Sequence, residues 1–147
     1  MERNTTLERL RAFVEHPDSP REMTARLGYV GPVSFDPETG KTRVEFLVES
    51  SHCHSGGRVA QGGFVAGWLD NAMANAVFAA TDFKLQPISL DLNVSYYAST
   101  PPGPVFVDAW IAKRGKSIAF LEAVLLDAND TIMAKATSTA KLMPLQS

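Results

Sequence analysis

The sequence has one cysteine, Cys53, among 147 residues. A single thiol excludes an intrachain disulfide framework, and with it the disulfide-dense secreted scaffolds. A reducing, cytoplasmic setting is therefore expected. Neither charge sign is in real excess, with 14 Lys and Arg against 16 Asp and Glu. A net charge of −2 argues against bulk attraction to nucleic acid, and no nucleic-acid partner is expected. Nowhere do about 18 apolar residues run consecutively, so no membrane span is expected. Residues 1–6 carry no apolar run of the secretory type. Also missing are a phosphate-cradling glycine loop of nucleotide or dinucleotide type, internal repeats and low-complexity tracts.

What remains is 45% hydrophobic and 20% charged, a composition suited to one folded domain with a real core. A first helix is marked by a candidate capping box of Thr5 and Glu8 and by the stripe Leu7, Leu10, Phe13 and Val14. His16-Pro17 closes it. Ser19-Pro20-Arg21-Glu22 signals a second start with Ser19 as N-cap, and Gly28 ends that short helix. Residues 29–35 and 42–48 are β-branched and aromatic around the turn Asp36-Pro37-Glu38-Thr39-Gly40, which predicts a hairpin. Residues 50–60 are small and polar and read as a loop.

Residues 62–80 predict a helix that is apolar nearly all round, apart from Asp70, Asn71 and Asn75. Four strand-like runs follow, over residues 89–97, 105–112, 118–126 and 132–142. They are separated by Pro101-Pro102-Gly103-Pro104, Arg114-Gly115-Lys116 and Ala128-Asn129-Asp130. Short turns favour antiparallel pairing. The order defines an α+β domain in which a curled antiparallel sheet encloses one long buried helix.

Within that helix, a charged and unpaired Asp70 would cost several kcal/mol. Asp70 is therefore either functional, or it caps a neighbouring loop or faces a subunit interface. Gln61-Gly62-Gly63 opens the same helix. Its first N–H groups lack internal partners and suit a developing oxyanion, unless the pair is only a glycine turn. Gly62 and Asp70 are eight residues apart, about 12 Å along a helix. One helix is unsuited to present both to a single carbonyl, so a joint site takes Gly62 from one subunit and Asp70 from another. His52-Cys53-His54 has poor ligand spacing, and the only other histidine is His16, so no metal is expected. Lys113-Arg114-Gly115-Lys116 is either a solvated turn or a small basic clamp for phosphates, joined by Arg58 or Lys84.

The segment Gln61-Gly62-Gly63-Phe64-Val65-Ala66-Gly67-Trp68-Leu69-Asp70-Asn71-Ala72-Met73 resembles the helix start of hotdog-fold acyl-CoA thioesterases of the phenylacetate-pathway (PaaI-like) type. Two further segments look like strands of that family. They are Ser89-Leu90-Asp91-Leu92-Asn93-Val94-Ser95-Tyr96 and Lys113-Arg114-Gly115-Lys116-Ser117-Ile118-Ala119-Phe120. The resemblance covers residues 29–142. It implies a hotdog domain over residues 29–147 behind an N-terminal helical extension over residues 1–28. It also implies homodimers, paired into tetramers, with active sites at the dimer interface.

The implied reaction is cofactor-free hydrolysis of an acyl-CoA thioester to free acid and CoA. By motif position Asp70 is general base or nucleophile, and the Gly62 N–H polarises the carbonyl. Ser89 helps to position water. Gln61 stands where many members have His. Ser55 stands where members often carry Asn or Gln, and Arg58 replaces a glycine. Ser55 or His54 is then left to supply the second carbonyl donor. Gly63, His54, Arg58 and the Lys113-Arg114-Gly115-Lys116 turn would contact substrate, the turn at the CoA phosphates. Phe64, Trp68, Phe78 and Tyr96 are either acyl-tunnel lining or plain core. Two rivals stand beside a hydrolase: a non-catalytic acyl-CoA or lipid-binding protein, and a purely structural oligomer.

Overall fold

The computed structural model describes residues 2–145, with side chains from Thr5 onward. The chain ends Met1, Gln146 and Ser147 of the two expected segments lie outside the described residues. Two helices, α1 (Glu2–Glu15) and α2 (Arg21–Arg26), lead into a hairpin of β1 (Tyr29–Phe35) and β2 (Thr42–Val48). A 3-10 turn (Ser50–His52) and a two-residue hairpin, β3 (Cys53–His54) and β4 (Val59–Ala60), replace the expected plain loop. The long helix α3 (Gly62–Ala80) follows. Then come β5 (Leu85–Ser89), β6 (Asn93–Tyr96), β7 (Gly103–Arg114), β8 (Ile118–Leu126) and β9 (Ile132–Pro144).

The main sheet runs β1-β2-β7-β8-β9-β5, with β6 also on β9, and every pairing is antiparallel. Its concave face shows the period of two expected of strands with one buried side. Val44, Phe46, Val107, Leu121 and Leu125 point inward and are at most 2% exposed. So are alanines: Ala109, Ala119, Ala123, Ala134 and Ala140. These small side chains leave depth for α3, which seats Trp68, Leu69, Met73 and Val77 into the trough, each essentially fully buried. Burial at this level stabilises by roughly 2 kcal/mol per large side chain. None of the helices among the described residues is long and apolar enough to cross a membrane.

The expected strand over residues 89–97 shortens to β6 over 93–96, and β5, which the sequence did not mark, ends at Ser89 just before it. Ser89 faces Ala140 and Asn93 faces Thr137, so four steps on one side match three on the other. The extra residue makes a bulge, and Asp91 repairs the ladder there. Its Oδ1 accepts from the Thr139 N–H at 2.8 Å, and its carbonyl accepts from Ser138 Oγ at 2.8 Å. The helix caps also differ from expectation. Since α1 starts at Glu2, Thr5 lies inside the helix and caps nothing. The N-cap of α2 is Pro20, without a side-chain cap. The Ser19 hydroxyl turns back to the carbonyls at the end of α1, Val14 (2.8 Å) and His16 (2.7 Å). Those last-turn carbonyls lack helical partners and compete successfully for the donor.

Helix α1 packs beside the C-terminal half of α3, while α2 buries no residue. Leu10 is fully buried, and Phe13 stacks obliquely on Phe78 and Phe83 at 4.9 and 5.4 Å between centroids. On the convex side, Arg43 grips Asp108 with two bonds of 2.7 and 3.0 Å. That hydrogen-bonded carboxylate holds the Arg43 guanidinium above its ordinary pKa. Gly28 makes the passage from α2 to β1. Its φ is +70°, and a Cβ there would lie 2.2 Å from the Leu47 carbonyl oxygen. Gly28→Ala is therefore expected to destabilise the fold by about 3 kcal/mol. The check is a lowered urea midpoint with an unchanged denaturant slope.

Candidate active site

Gln61, in extended conformation, ends the approach to α3. Its N–H is anchored on the His52 carbonyl (2.9 Å), and its side-chain Oε1 accepts from the Gly63 N–H at 2.7 Å. The Phe64 N–H returns to the Gln61 carbonyl at 2.9 Å. This leaves the Gly62 N–H as the open donor of the first turn, without a hydrogen bond among the described residues. It faces the region where the helix dipole favours negative charge. The Tyr96 hydroxyl closes over the same turn, donating to the Gly62 carbonyl at 2.7 Å. A groove of about 550 Å³ opens there, lined by Val59, Gly62, Gly63, Val65, Tyr96 and Tyr97.

Two turns along α3, Asp70 is exposed, contrary to the buried carboxylate inferred from composition. The uncovered face of the helix carries Gly63, Ala66, Asp70 and Ala74, at helical spacing. Counted as apolar, these small residues conceal an open side. Asp70 has one side-chain partner, Ser89 at the end of β5, whose Oγ donates to Asp70 Oδ1 at 3.1 Å. Beyond Ser89 the β5–β6 edge pairs with nothing among the described residues. Large apolar side chains crowd it: Ile88, Leu90, Tyr96 and Tyr97 are 49–59% exposed.

Asp70 and Ser89 are thus brought together, and so are Gln61, Gly62 and Gly63. The two groups stay about 12 Å apart along the same helix. Ser55 and His54 join neither. They sit exposed in the β3–β4 turn, where His54 Nδ1 and Ser55 Oγ bond to each other at 2.8 Å. Ser55 holds a left-handed φ of +56°. Arg58 is exposed at the far side of that turn, its N–H on the His54 carbonyl.

Lys113 and Arg114 are the last residues of β7 rather than part of the turn. Gly115 closes the turn through its N–H to the Ile118 carbonyl at 2.7 Å, and Lys116 follows, exposed. Across the sheet, Ser89 aligns with Ala140, Ala119 and then Arg114. Tyr96 aligns with Ala134, Leu125 and Val107. The basic end therefore lies in the row of Ser89, about 20 Å along the strands from the row of Tyr96.

His52, Cys53 and His54 send their side chains to three different places. His52 is buried, with Nδ1 accepting from the Glu49 N–H (2.9 Å) and Nε2–H donating to the Arg26 carbonyl (2.7 Å). Both ring nitrogens are spent on the backbone. Among the described residues no three His, Cys, Asp or Glu side chains gather as metal ligands. Of the aromatic candidates, Trp68 is core, with Nε1 on the Leu27 carbonyl. Phe78 packs under α1, and Phe64 against His52. Tyr96 and Tyr97 line the groove. Tyr97 had no marking in the sequence beyond its neighbour, and the Tyr96 hydroxyl bond depends on a contact 34 residues away.

A curved antiparallel sheet closed on one long helix, with short helices in front, is the hotdog fold. Residues 50–141 match the acyl-CoA thioesterase N-terminal domain family, and the chain belongs to it. No curated protein matches the chain. Among solved structures, zebrafish thioesterase superfamily member 2 is 24% identical with a TM-score of 0.73, covering 96% of this chain and 98% of its own. The Escherichia coli PaaI protein of the phenylacetic acid degradation operon is 14% identical at a TM-score of 0.78, with 96% of each chain covered. A Streptococcus mutans protein bound to acetyl-CoA is 18% identical at a TM-score of 0.70, covering 81% of this chain and 91% of its own.

The Gln61 cap is directly testable. Gln61→Ala should cost about 1 kcal/mol of stability, the usual worth of an N-cap. Equilibrium urea unfolding reads it, and no change in midpoint would show that the cap contributes nothing.

Proposed function

We propose that this chain hydrolyses an acyl-CoA thioester to a free acid and CoA, at a site that two copies of the chain complete. The observation that carries the reading is the exposed Asp70–Ser89 pair on the uncovered face of α3, separated from the open Gly62 N–H of the same helix. A hydrolase must place a base near the carbonyl carbon and a donor about 3 Å from its oxygen. A two-fold pairing along the β5–β6 edge would set Asp70 and Ser89 of one copy against Gly62 of the other. Support for that edge as the contact comes from its unpaired strand and its exposed Ile88, Leu90 and Tyr97. Support for a CoA thioester comes from the family and from the acetyl-CoA bound to the Streptococcus mutans relative.

In this reading Asp70 takes a proton from water as it attacks the thioester carbonyl. Ser89 holds the Asp70 carboxylate by its Oδ1. The Gly62 N–H stabilises the oxyanion. Collapse breaks the C–S bond, and the proton held by Asp70 passes to the leaving thiolate. Direct attack by Asp70, through an anhydride that water then opens, uses the same atoms. Arg58, Lys113, Arg114 and Lys116 are the exposed cations that would meet the CoA phosphates. We place the chain in the cytoplasm and assign it no cofactor.

The non-catalytic acyl-CoA binder keeps one specific observation in its favour. Gln61 Oε1 already occupies the Gly63 N–H, and Ser55 is bound to His54 rather than facing the groove. One oxyanion donor is then left where two are usual.

Removing the base should lower kcat by about 10²–10⁴. Asp70→Asn is exposed and nearly isosteric, so its melting temperature should stay near wild type. Release of free thiol from a panel of acyl-CoA thioesters measures the effect. Normal turnover by the variant would refute this role for Asp70. Binding without thiol release by the wild type would establish the binder instead. The shared site has its own test. Mixing two inactive variants, Asp70→Asn and Gly62→Val, should restore about one quarter of wild-type activity, because half the dimers are mixed and carry one intact site. No recovery would mean that each site is built by one chain.

A further inference from the structure

We infer that Tyr96 is a positioning residue of the thioester site, acting through Gly62; this rests on the hydrolase reading above. Two successive glycines at a helix start are a liability for catalysis. Without Cβ atoms, residues 62 and 63 can sample many backbone conformations, and each turns the Gly62 N–H in a different direction. An oxyanion donor contributes most when it is already aimed before the reaction begins. The helix-start bonds to Gln61 hold part of this turn, and the Gly62 carbonyl offers one more point of attachment.

Tyr96 is placed to use it. It is the last residue of β6, fixed opposite Ala134 of β9 and just beyond the Asp91 bulge. Its side chain leaves the sheet edge, 53% exposed, and crosses to the first turn of α3. The hydroxyl donates to the Gly62 carbonyl at 2.7 Å. Ring and hydroxyl lie so close that a Cβ on Gly62 would meet Oη at 3.1 Å, Cζ at 3.3 Å and Cε1 at 3.5 Å. A side chain at 62 would press on Tyr96, whose ring would have to give by a few tenths of an ångström. The carbonyl that Tyr96 holds belongs to the same peptide plane as the Gly63 N–H, which Gln61 Oε1 holds from the other side at 2.7 Å. The chain Tyr96 Oη–H to Gly62 C=O, then Gly63 N–H to Gln61 Oε1, clamps that plane at both ends. Polarisation along such a chain strengthens each bond. The Gly62 N–H lies in the preceding plane, whose Gln61 carbonyl accepts from the Phe64 and Val65 N–H groups at 2.9 and 3.2 Å; with the following plane also clamped, the torsions of Gly62 are restricted and its N–H keeps one direction into the groove. A hydroxyl on a half-exposed aromatic at a sheet edge has no packing role that phenylalanine would not fill, and this separates positioning from plain core.

The experiment compares wild type with Tyr96→Phe, which keeps the ring and removes only the donor. Thioester hydrolysis should show kcat lowered about tenfold with KM within twofold, because the donor acts on the oxyanion rather than on substrate binding. Hydrogen exchange of the Gly62 and Gly63 amides, followed by NMR, should accelerate at least tenfold at Gly63 while the rest of α3 is unchanged. A kcat within twofold of wild type would overturn the inference. If the wild type itself releases no thiol, the hydrolase reading fails, and amide exchange alone decides the clamp: faster exchange in Tyr96→Phe supports it, and equal exchange overturns it.

Discussion

Almost everything in this molecule follows from the need to enclose α3. A helix that is apolar on most of its circumference cannot rest on a flat sheet with one stripe, as a surface helix does. The sheet must curve to meet more of it, and its concave face must be shallow-walled. The alanines at 109, 119, 123, 134 and 140 provide that depth, while Phe46, Leu121 and Leu125 fill the corners. The convex face can then be polar, and it is, with Arg43 and Asp108 paired there. Helix α1 completes the enclosure by setting Leu10 and Phe13 beside the C-terminal half of α3.

Enclosure by one chain is incomplete, and the proposed site lies in the gap. The face of α3 that carries Gly63, Ala66, Asp70 and Ala74 has small side chains and no sheet over it. It adjoins the one sheet edge lined by exposed Ile88, Leu90, Tyr96 and Tyr97. The open donor and the open carboxylate lie on that same uncovered side, a helical length apart. The helix holds Gly62 and Asp70 apart as a rigid rod and so fixes the distance between the two groups of the proposed site.

Much of the framework was legible. The strands over residues 29–35, 42–48 and 118–126 and the helix over 62–80 are bounded in the structure where glycine, proline and turn residues bound them in the sequence. Strand β5 was not legible because Gln86 and Pro87 interrupt its strand pattern, and the break after it was hidden because Asp91 substitutes a side-chain oxygen for a backbone one, so the run from Ser89 looks unbroken. The exposure of Asp70 was hidden for a different reason: glycine and alanine count as apolar in composition but mark an uncovered face in space. Ser19 was misplaced because two helix ends competed for one hydroxyl. Ser89 entered only through the family resemblance. Nineteen residues separate it from Asp70, and nothing in spacing joins them.

The polar links along α3 have a consequence for its axial phase. The large side chains of Trp68, Leu69, Met73 and Val77 turn the small-residue face outward, but a broad apolar contact fixes the angle only coarsely. Two pegs sharpen that choice. Trp68 Nε1 locks onto the Leu27 carbonyl at 2.7 Å, and the Tyr29 hydroxyl onto Asn75 Oδ1 at 3.0 Å. Within the helix, Asn75 Nδ2 donates to the Asn71 carbonyl at 2.9 Å and so steadies the Asn75 side chain for Tyr29. Burial pushes the Tyr29 phenol well above its ordinary pKa, so its proton stays in place across the working range of pH. Rotating the helix by one residue, about 100°, would break both contacts, at about 1–3 kcal/mol each. The helix is therefore indexed like a keyed shaft, and the outward bearing of Asp70 is sharpened by polar contacts on its opposite side.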